Sequence, residues 1–252
     1  MKKVIAVINH KGGVGKTTST ANIGAGLCRL GKKVLLIDLD PQANLTINFG
    51  FNPLQQKKTI YEALSGKYAL PVIALNENRP DIVPSTLDLS VAEMQLNNEP
   101  GRESILKQLI EPIKFHYDYI LIDCPPSLGI LTLNALSASQ AAIIPVELSN
   151  FSLVGMTRLF EIISKVKERI NPELDDYNIL VTRTDKRQAV QREISTYLRE
   201  KNPDRIFSYE IRSNVKILES QIKRTDIFTF DNNSKAAVDY MNVCREFIER
   251  YG

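Results

Sequence analysis

Cysteine is scarce in this chain of 252 residues: Cys28, Cys124 and Cys244 lie far apart, form no CxxC pair and have no histidine at zinc-ligand spacing. That leaves no disulfide framework and no zinc cluster to brace the fold, so each thiol reads as a small buried hydrophobe. Long apolar runs are missing too. No stretch approaches the ~18–20 residues of a membrane-spanning helix, and the apolar residues after Met1-Lys2-Lys3 stop at Asn9 and His10, too soon for a secretory signal. These absences predict a cytoplasmic chain with no membrane attachment. There is no internal repeat, low-complexity tract or obvious linker. With 43% hydrophobic and 24% charged residues, the composition is that of a soluble globular protein with a sizeable core. Residues 1–252 read as a single domain.

Charge of one sign is nearly balanced overall, at 32 Lys and Arg against 29 Asp and Glu, but not locally. Residues 183–224 hold 11 basic and 6 acidic side chains, including Lys186. A regional excess of this kind can attract a polyanion, whereas most charge runs mark only a solvated face.

Short, continuously apolar runs recur along the chain: Lys3 to Ile8, Val34 to Ile37, Tyr119 to Ile122, Ala141 to Val146 and Tyr177 to Val181. They alternate with helix-like stretches, the first ending near Leu30 and others near 128–138, 151–169, 189–200 and 234–250. Strands without polar alternation are buried on both faces, which predicts an α/β fold, a doubly wound, mainly parallel sheet with helices on both sides. Residues 50–100, punctuated by Pro53, Pro71, Pro80, Pro84 and Pro100, read as irregular structure with small helices. Ligands of such sheets bind beyond the carboxyl ends of the strands, where this reading places Asp38, Asp40 and Asp123 and predicts that they converge.

The strongest signal is Lys11-Gly12-Gly13-Val14-Gly15-Lys16-Thr17-Thr18, between the first strand and the first helix. Glycines let backbone N–H groups converge on phosphate oxygens, the helix N-terminus adds its positive dipole end and Lys16 adds a formal charge. The Thr17 hydroxyl can hold Mg²⁺. A dinucleotide fingerprint is the competing reading, because Asp38 stands about 20 residues downstream, but Thr18 replaces its third glycine and Lys16-Thr17 has no role in it. His10 stands where a strict G-x-x-x-x-G-K-[ST] loop has its first glycine, and reads as a hydrogen-bonded structural group rather than a catalyst.

With its second lysine at position 11, KGGVGKTT resembles the deviant Walker A loop of the ParA/MinD family of dimeric P-loop ATPases. The resemblance covers nearly the whole chain. Asp38-Leu39-Asp40-Pro41-Gln42-Ala43-Asn44 is similar to the family's second nucleotide motif, Tyr119 to Ser127 to its Walker B strand, and Pro145-Val146-Glu147 with Phe151 to Gly155 to its later strand and helix. Within the family the layout resembles the short ParA/Soj-type partition proteins, since only ten residues precede Lys11. The resemblance implies ATP and Mg²⁺ as cofactors. It implies that Lys16 binds the β- and γ-phosphates, that Thr17 ligates the metal, that Asp123 supports the metal through water with Asp38 as a further candidate, and that Asp40 orients the attacking water. It implies too that Lys11 acts across an ATP-dependent homodimer, which would tie hydrolysis to association.

The resemblance also places non-specific double-stranded DNA binding on the C-terminal basic surface, for which Arg187, Arg192, Lys216, Lys223, Arg224 and Lys235 are candidates. Arg183 stands where the family approaches the base. Ile211 to Lys216 resembles its I-P-R-N-V-R segment, but Arg212 replaces the proline and Ser213 the arginine. The implied function is nucleoid-associated chromosome or plasmid partition, with release on hydrolysis stimulated by a ParB-like protein. Protein-cargo positioning is the alternative that this chain alone does not separate. A MinD-like membrane ATPase needs a basic amphipathic C-terminus, and here acids offset the bases from Cys244 to Gly252. An iron protein of the superfamily needs paired cysteines, which the chain lacks.

Overall fold

The computed structural model describes residues 3–76, 78–96, 99–149, 152–185 and 187–252. Phe151 and Lys186, which the sequence reading places in the later helix and the basic segment, lie outside the described residues. Six parallel strands form one sheet: β1 (Lys3–Val7), β2 (Val34–Asp38), β3 (Asp81–Val83), β4 (Tyr119–Asp123), β5 (Ala141–Glu147) and β6 (Asp176–Thr182), in the order β3-β2-β4-β1-β5-β6. The apolar runs are strands for the reason their composition suggests. Alternate residues feed opposite layers, Val4, Ala6, Leu35, Ile37, Ile120 and Ile122 into one and Ile5, Val7, Leu36 and Leu121 into the other, so the interior positions of β1, β2 and β4 are apolar towards both faces.

One layer is closed by α1 (Lys16–Arg29), α10 (Ile227–Asp231) and α11 (Lys235–Tyr251), with α2 (Asn44–Asn48) and α9 (Val215–Ile222) at its border. The other is closed by α3 (Ile60–Leu64), α4 (Leu89–Leu96), α5 (Ile105–Ile110), α6 (Ile130–Ala138), α7 (Ser152–Arg169) and α8 (Ala189–Lys201). Cys28, Cys124 and Cys244 are buried free thiols within these layers. Among the described residues no helix is long and apolar enough to cross a membrane.

The strand β3 corrects the reading of residues 50–100 as irregular structure with small helices. Only three residues long and set between Pro80 and Pro84, it offers no run that local pattern can detect. Pairing with β2 in register Leu35–Asp81, Leu36–Ile82 and Ile37–Val83 makes it a strand. Prolines are tolerated beside it because β3 is the sheet edge.

Strand β1 lies between β4 and β5, so the chain winds outward to one side before β4 and to the other after it. The carboxyl end of β1 is therefore a topological switch point, where an open α/β sheet leaves a crevice. The glycine loop fills the first position beyond it.

Candidate functional site

The loop is held by its flanks. Buried Asn9 donates through Nδ2 to the Pro145 carbonyl at 2.7 Å and accepts from the Lys11 amide at 3.0 Å, fixing the exit from β1. Thr182 Oγ1, at the end of β6, donates to the Val14 carbonyl at 2.8 Å. Val14 itself is buried, so it serves the loop through its backbone. Gly15 precedes α1 at φ 90°, a left-handed conformation that L side chains rarely adopt, and no side chain caps the helix there. The first N–H groups of α1 are thus left for a ligand.

A cleft of about 790 Å³ opens in front of the loop, and its lining includes Gly12, Gly13, Gly15, Lys16, Thr17, Thr18 and Asp40. Across it stand Arg183, Arg212 and the face of α9 that carries Val215, Leu218 and Gln221. Lys16 is buried, and its Nζ donates to the Lys11 carbonyl at 3.1 Å, closing the loop on itself. Burial lowers the Lys16 pKa, with the Asp123 charge opposing most strongly. Lys11 turns away from the cleft lining: its Nζ donates to Ser149 Oγ at 3.4 Å, beyond the end of β5. His10 is exposed instead of being a hydrogen-bonded structural group, and its ring makes no hydrogen bond among the described residues.

The three acids converge as the sequence predicts. Asp38 and Asp123 are register partners at the ends of β2 and β4, both fully buried, and Asp40 is close enough for its charge to act on each. Their hydrogen bonds separate them. Asp38 Oδ2 accepts from the Thr46 amide at 2.8 Å and hydroxyl at 2.6 Å, and its Oδ1 from the Asp40 amide at 3.2 Å. It anchors the turn into α2. Asp40 Oδ1 accepts from the Gln42 amide at 2.9 Å, and Ser85 Oγ donates to its carbonyl at 2.8 Å. Asp123 Oδ1 accepts from Thr20 Oγ1 at 3.4 Å, while its Oδ2 is buried with no hydrogen-bond partner among the described residues. Mg²⁺ keeps several waters and needs few protein ligands. Thr17 in the cleft and an orphaned carboxylate oxygen behind it suit a hydrated ion held by one hydroxyl and, through water, by Asp123.

Burial pushes the Asp38 carboxyl up to about 7, against the pull of its Thr46 hydrogen bonds. Burial first, then the Asp38 charge, holds Asp123 well above the usual carboxylate range. In the unfolded chain these groups lose their protons near ~3.9, so between about pH 4 and 7 the folded form binds more protons and stability falls as pH rises. The urea midpoint of the nucleotide-free protein is accordingly expected to be lower at pH 7.5 than at pH 5. An equal or higher midpoint at pH 7.5 contradicts this assignment.

The basic candidates do not gather at the cleft. Arg187 is exposed and ion-paired with Asp185 at 2.8 Å, an arrangement that lowers the Asp185 pKa. Arg192 lies on α8, lining a second cavity of about 340 Å³ with Asp185, Arg199 and Glu210. Lys216 pairs with Glu219 at 2.9 Å, and Lys223, Arg224 and Lys235 are exposed around α9 and the start of α11. Arg183 does reach the cleft, at φ 56° and with Glu147 3.9 Å away. Arg212, in the family's proline position, is locked to Asp239 at 2.6 Å and to the same carboxylate through Nε. Sequence reasoning missed Thr46, Ser85, Gln221 and Tyr240; they belong to the site through long-range packing, and no local motif signals them.

A glycine loop leading into a helix at the sheet's switch point, with one buried lysine and carboxylates at neighbouring strand ends, defines a phosphate-binding site of the P-loop class. The family model described as AAA domain matches residues 2–176. Sporulation initiation inhibitor protein Soj of Bacillus subtilis is 37% identical over 98% of this chain and 98% of its own length. Chromosome partitioning protein ParA of Caulobacter vibrioides is 34% identical over 98% of this chain and 94% of its own. Among solved structures, cobyrinic acid a,c-diamide synthase from Mycobacterium smegmatis with bound ATP analogue and magnesium is similar at a TM-score of 0.87. Its identity is 30%, over 100% of this chain and 96% of that one. The chain belongs to the ParA/Soj-type family of P-loop ATPases.

Proposed function

We propose that residues 1–252 form one ATPase domain that partitions DNA, chromosomal or plasmid, by a nucleotide switch. ATP and Mg²⁺ are its cofactors, and ATP hydrolysis to ADP and phosphate is its reaction. When Mg²⁺ is bound it neutralises phosphate charge, with Thr17 and, through water, Asp123 holding it. Lys16 grips the β- and γ-phosphates, and Asp40 orients the attacking water with the oxygen that Gln42 leaves free. Phosphoryl transfer asks little covalent chemistry of the protein, so this positioning and charge neutralisation carry the rate.

The observation that carries the switch is the divergence of the two lysines. Lys16 is turned inward and buried, whereas the Lys11 amine is held at Ser149, off its own cleft. A cation so placed is available to the phosphates of a second copy, and hydrolysis is slow until a ParB-like partner completes the arrangement. The face-to-face homodimer is supported by Val215, Leu218 and Ile222, exposed by 63%, 57% and 70% in one row of α9, the first two of them lining the cleft. An apolar row at i, i+3 and i+7 on the outward face of a soluble helix is not normally left wet. The dimer brings together two sets of Arg187, Arg192, Lys216, Lys223, Arg224 and Lys235, which bind the phosphate backbone of double-stranded DNA without reading sequence and keep the protein on the nucleoid.

Gel retardation with a duplex of arbitrary sequence tests this. Affinity is expected to be about tenfold or more higher with ATP than with ADP or no nucleotide, and to fall steeply with salt. Equal affinity in the three states removes the switch.

A further inference from the structure

The turn between α9 and α10 carries Lys223 and Arg224, both exposed, with Arg224 at φ 54°. A non-glycine residue persists in the left-handed region only where its surroundings hold it there. Here the turn is anchored at both ends to one residue of the phosphate loop. On one side, Gln221 Nε2 donates to Thr18 Oγ1 at 2.8 Å. On the other, the Ile227 amide donates to Asn22 Oδ1 at 2.8 Å, and Asn22 Nδ2 donates to the Thr18 carbonyl at 2.8 Å. Asn22 is buried, and Thr18 and Gln221 both line the nucleotide cleft. The basic turn is therefore suspended between the hydroxyl and the carbonyl of Thr18.

A hydroxyl donates one hydrogen bond and accepts two. Thr18 Oγ1 accepts from Gln221, and it makes no other hydrogen bond among the described residues. Its own proton has no protein acceptor among the described residues, in a cleft built for anions. A phosphate oxygen taking that proton polarises the hydroxyl and strengthens the bond arriving from Gln221, because hydrogen bonds in series reinforce one another. We propose that Gln221 is a positioning residue that couples nucleotide occupancy to the Lys223–Arg224 turn: triphosphate in the cleft tightens the Thr18–Gln221 bond and fixes the two basic side chains in one arrangement. The consequence for DNA rests on the function proposed above; the coupling itself does not.

The test is hydrogen–deuterium exchange of the amides of residues 222–227, with and without a saturating non-hydrolysable ATP analogue and Mg²⁺. Saturation is established for each variant by titration. Gln221→Met keeps side-chain length and helix propensity but cannot donate. Thr18→Val removes the hydroxyl, and Thr18→Ser restores it. The analogue is expected to slow exchange about fivefold, a single hydrogen bond's worth, in the wild type and Thr18→Ser. In Gln221→Met and Thr18→Val the slowing should fall below about twofold. Fivefold slowing retained in Gln221→Met, or none in the saturated wild type, overturns the coupling. In retardation assays the ATP-to-apo affinity ratio of Gln221→Met is expected to fall to about twofold; an unchanged ratio beside lost protection supports the coupling and removes only its consequence for DNA. A wild type whose exchange slows as stated but whose DNA affinity ignores nucleotide leaves the coupling standing and removes the partition reading instead.

Discussion

Lys16→Ala is expected to lower kcat for ATP about 10³-fold or more, the cost of removing a charge aimed at the transferring phosphoryl group, without lowering the urea midpoint of the nucleotide-free protein. The two halves of this result follow from one environment. Lys16 is buried at the foot of the cleft, and burial shifts its pKa downward despite the charges of Asp123 and Asp40. A lowered lysine pKa means that the folded state disfavours the ammonium relative to water, so deleting it relieves a cost while abolishing the site's main cation. A lysine kept only for structure behaves oppositely. Its removal lowers the midpoint and leaves turnover of the surviving folded fraction near normal. Single-turnover kinetics at saturating ATP together with urea denaturation of Lys16→Ala separate the two. A large loss of stability with kcat within about tenfold of wild type, less than one lost donor costs, refutes the assignment of Lys16 to phosphate.

What was legible in the sequence was what local chemistry writes locally. Val34 to Ile37 and Tyr119 to Ile122 announce doubly covered strands because every position in them must be apolar, and an acid after each run announces the strand's functional end. The glycine loop was legible because Gly15 requires a conformation few other residues adopt. Strand β3 was not, since three residues between prolines acquire their conformation from the β2 edge. Nor could pattern distinguish Asp38 from Asp40. Both follow the same run, and only Thr46, folded back on to Asp38, assigns one acid to structure and leaves the other an unengaged oxygen. The Arg212–Asp239 pair is of the same kind: a charge counted with the basic segment is consumed by an acid 27 residues away.

Asp40→Asn is expected to lower kcat between about 10²- and 10⁴-fold, the range that a positioned base or water-orienting carboxylate contributes, while leaving ATP affinity unchanged or tighter. The substitution preserves shape, and its remaining carbonyl oxygen can still accept from the Gln42 amide that Asp40 Oδ1 now engages at 2.9 Å, so the turn into α2 survives. What it removes is one negative charge from a cleft that must hold a triphosphate, hence the direction of the affinity change. On the proposed mechanism hydrolysis is the step that separates the subunits, so this variant accumulates as the ATP-held dimer and stays on DNA while the wild type cycles off. Sedimentation with Mg²⁺ and ATP reads the dimer directly. A variant that hydrolyses within about threefold of wild type, far short of a base's contribution, denies Asp40 its role. One that is hydrolysis-dead, saturated with ATP and still monomeric denies the dimer, and with it the reason for a second lysine at position 11.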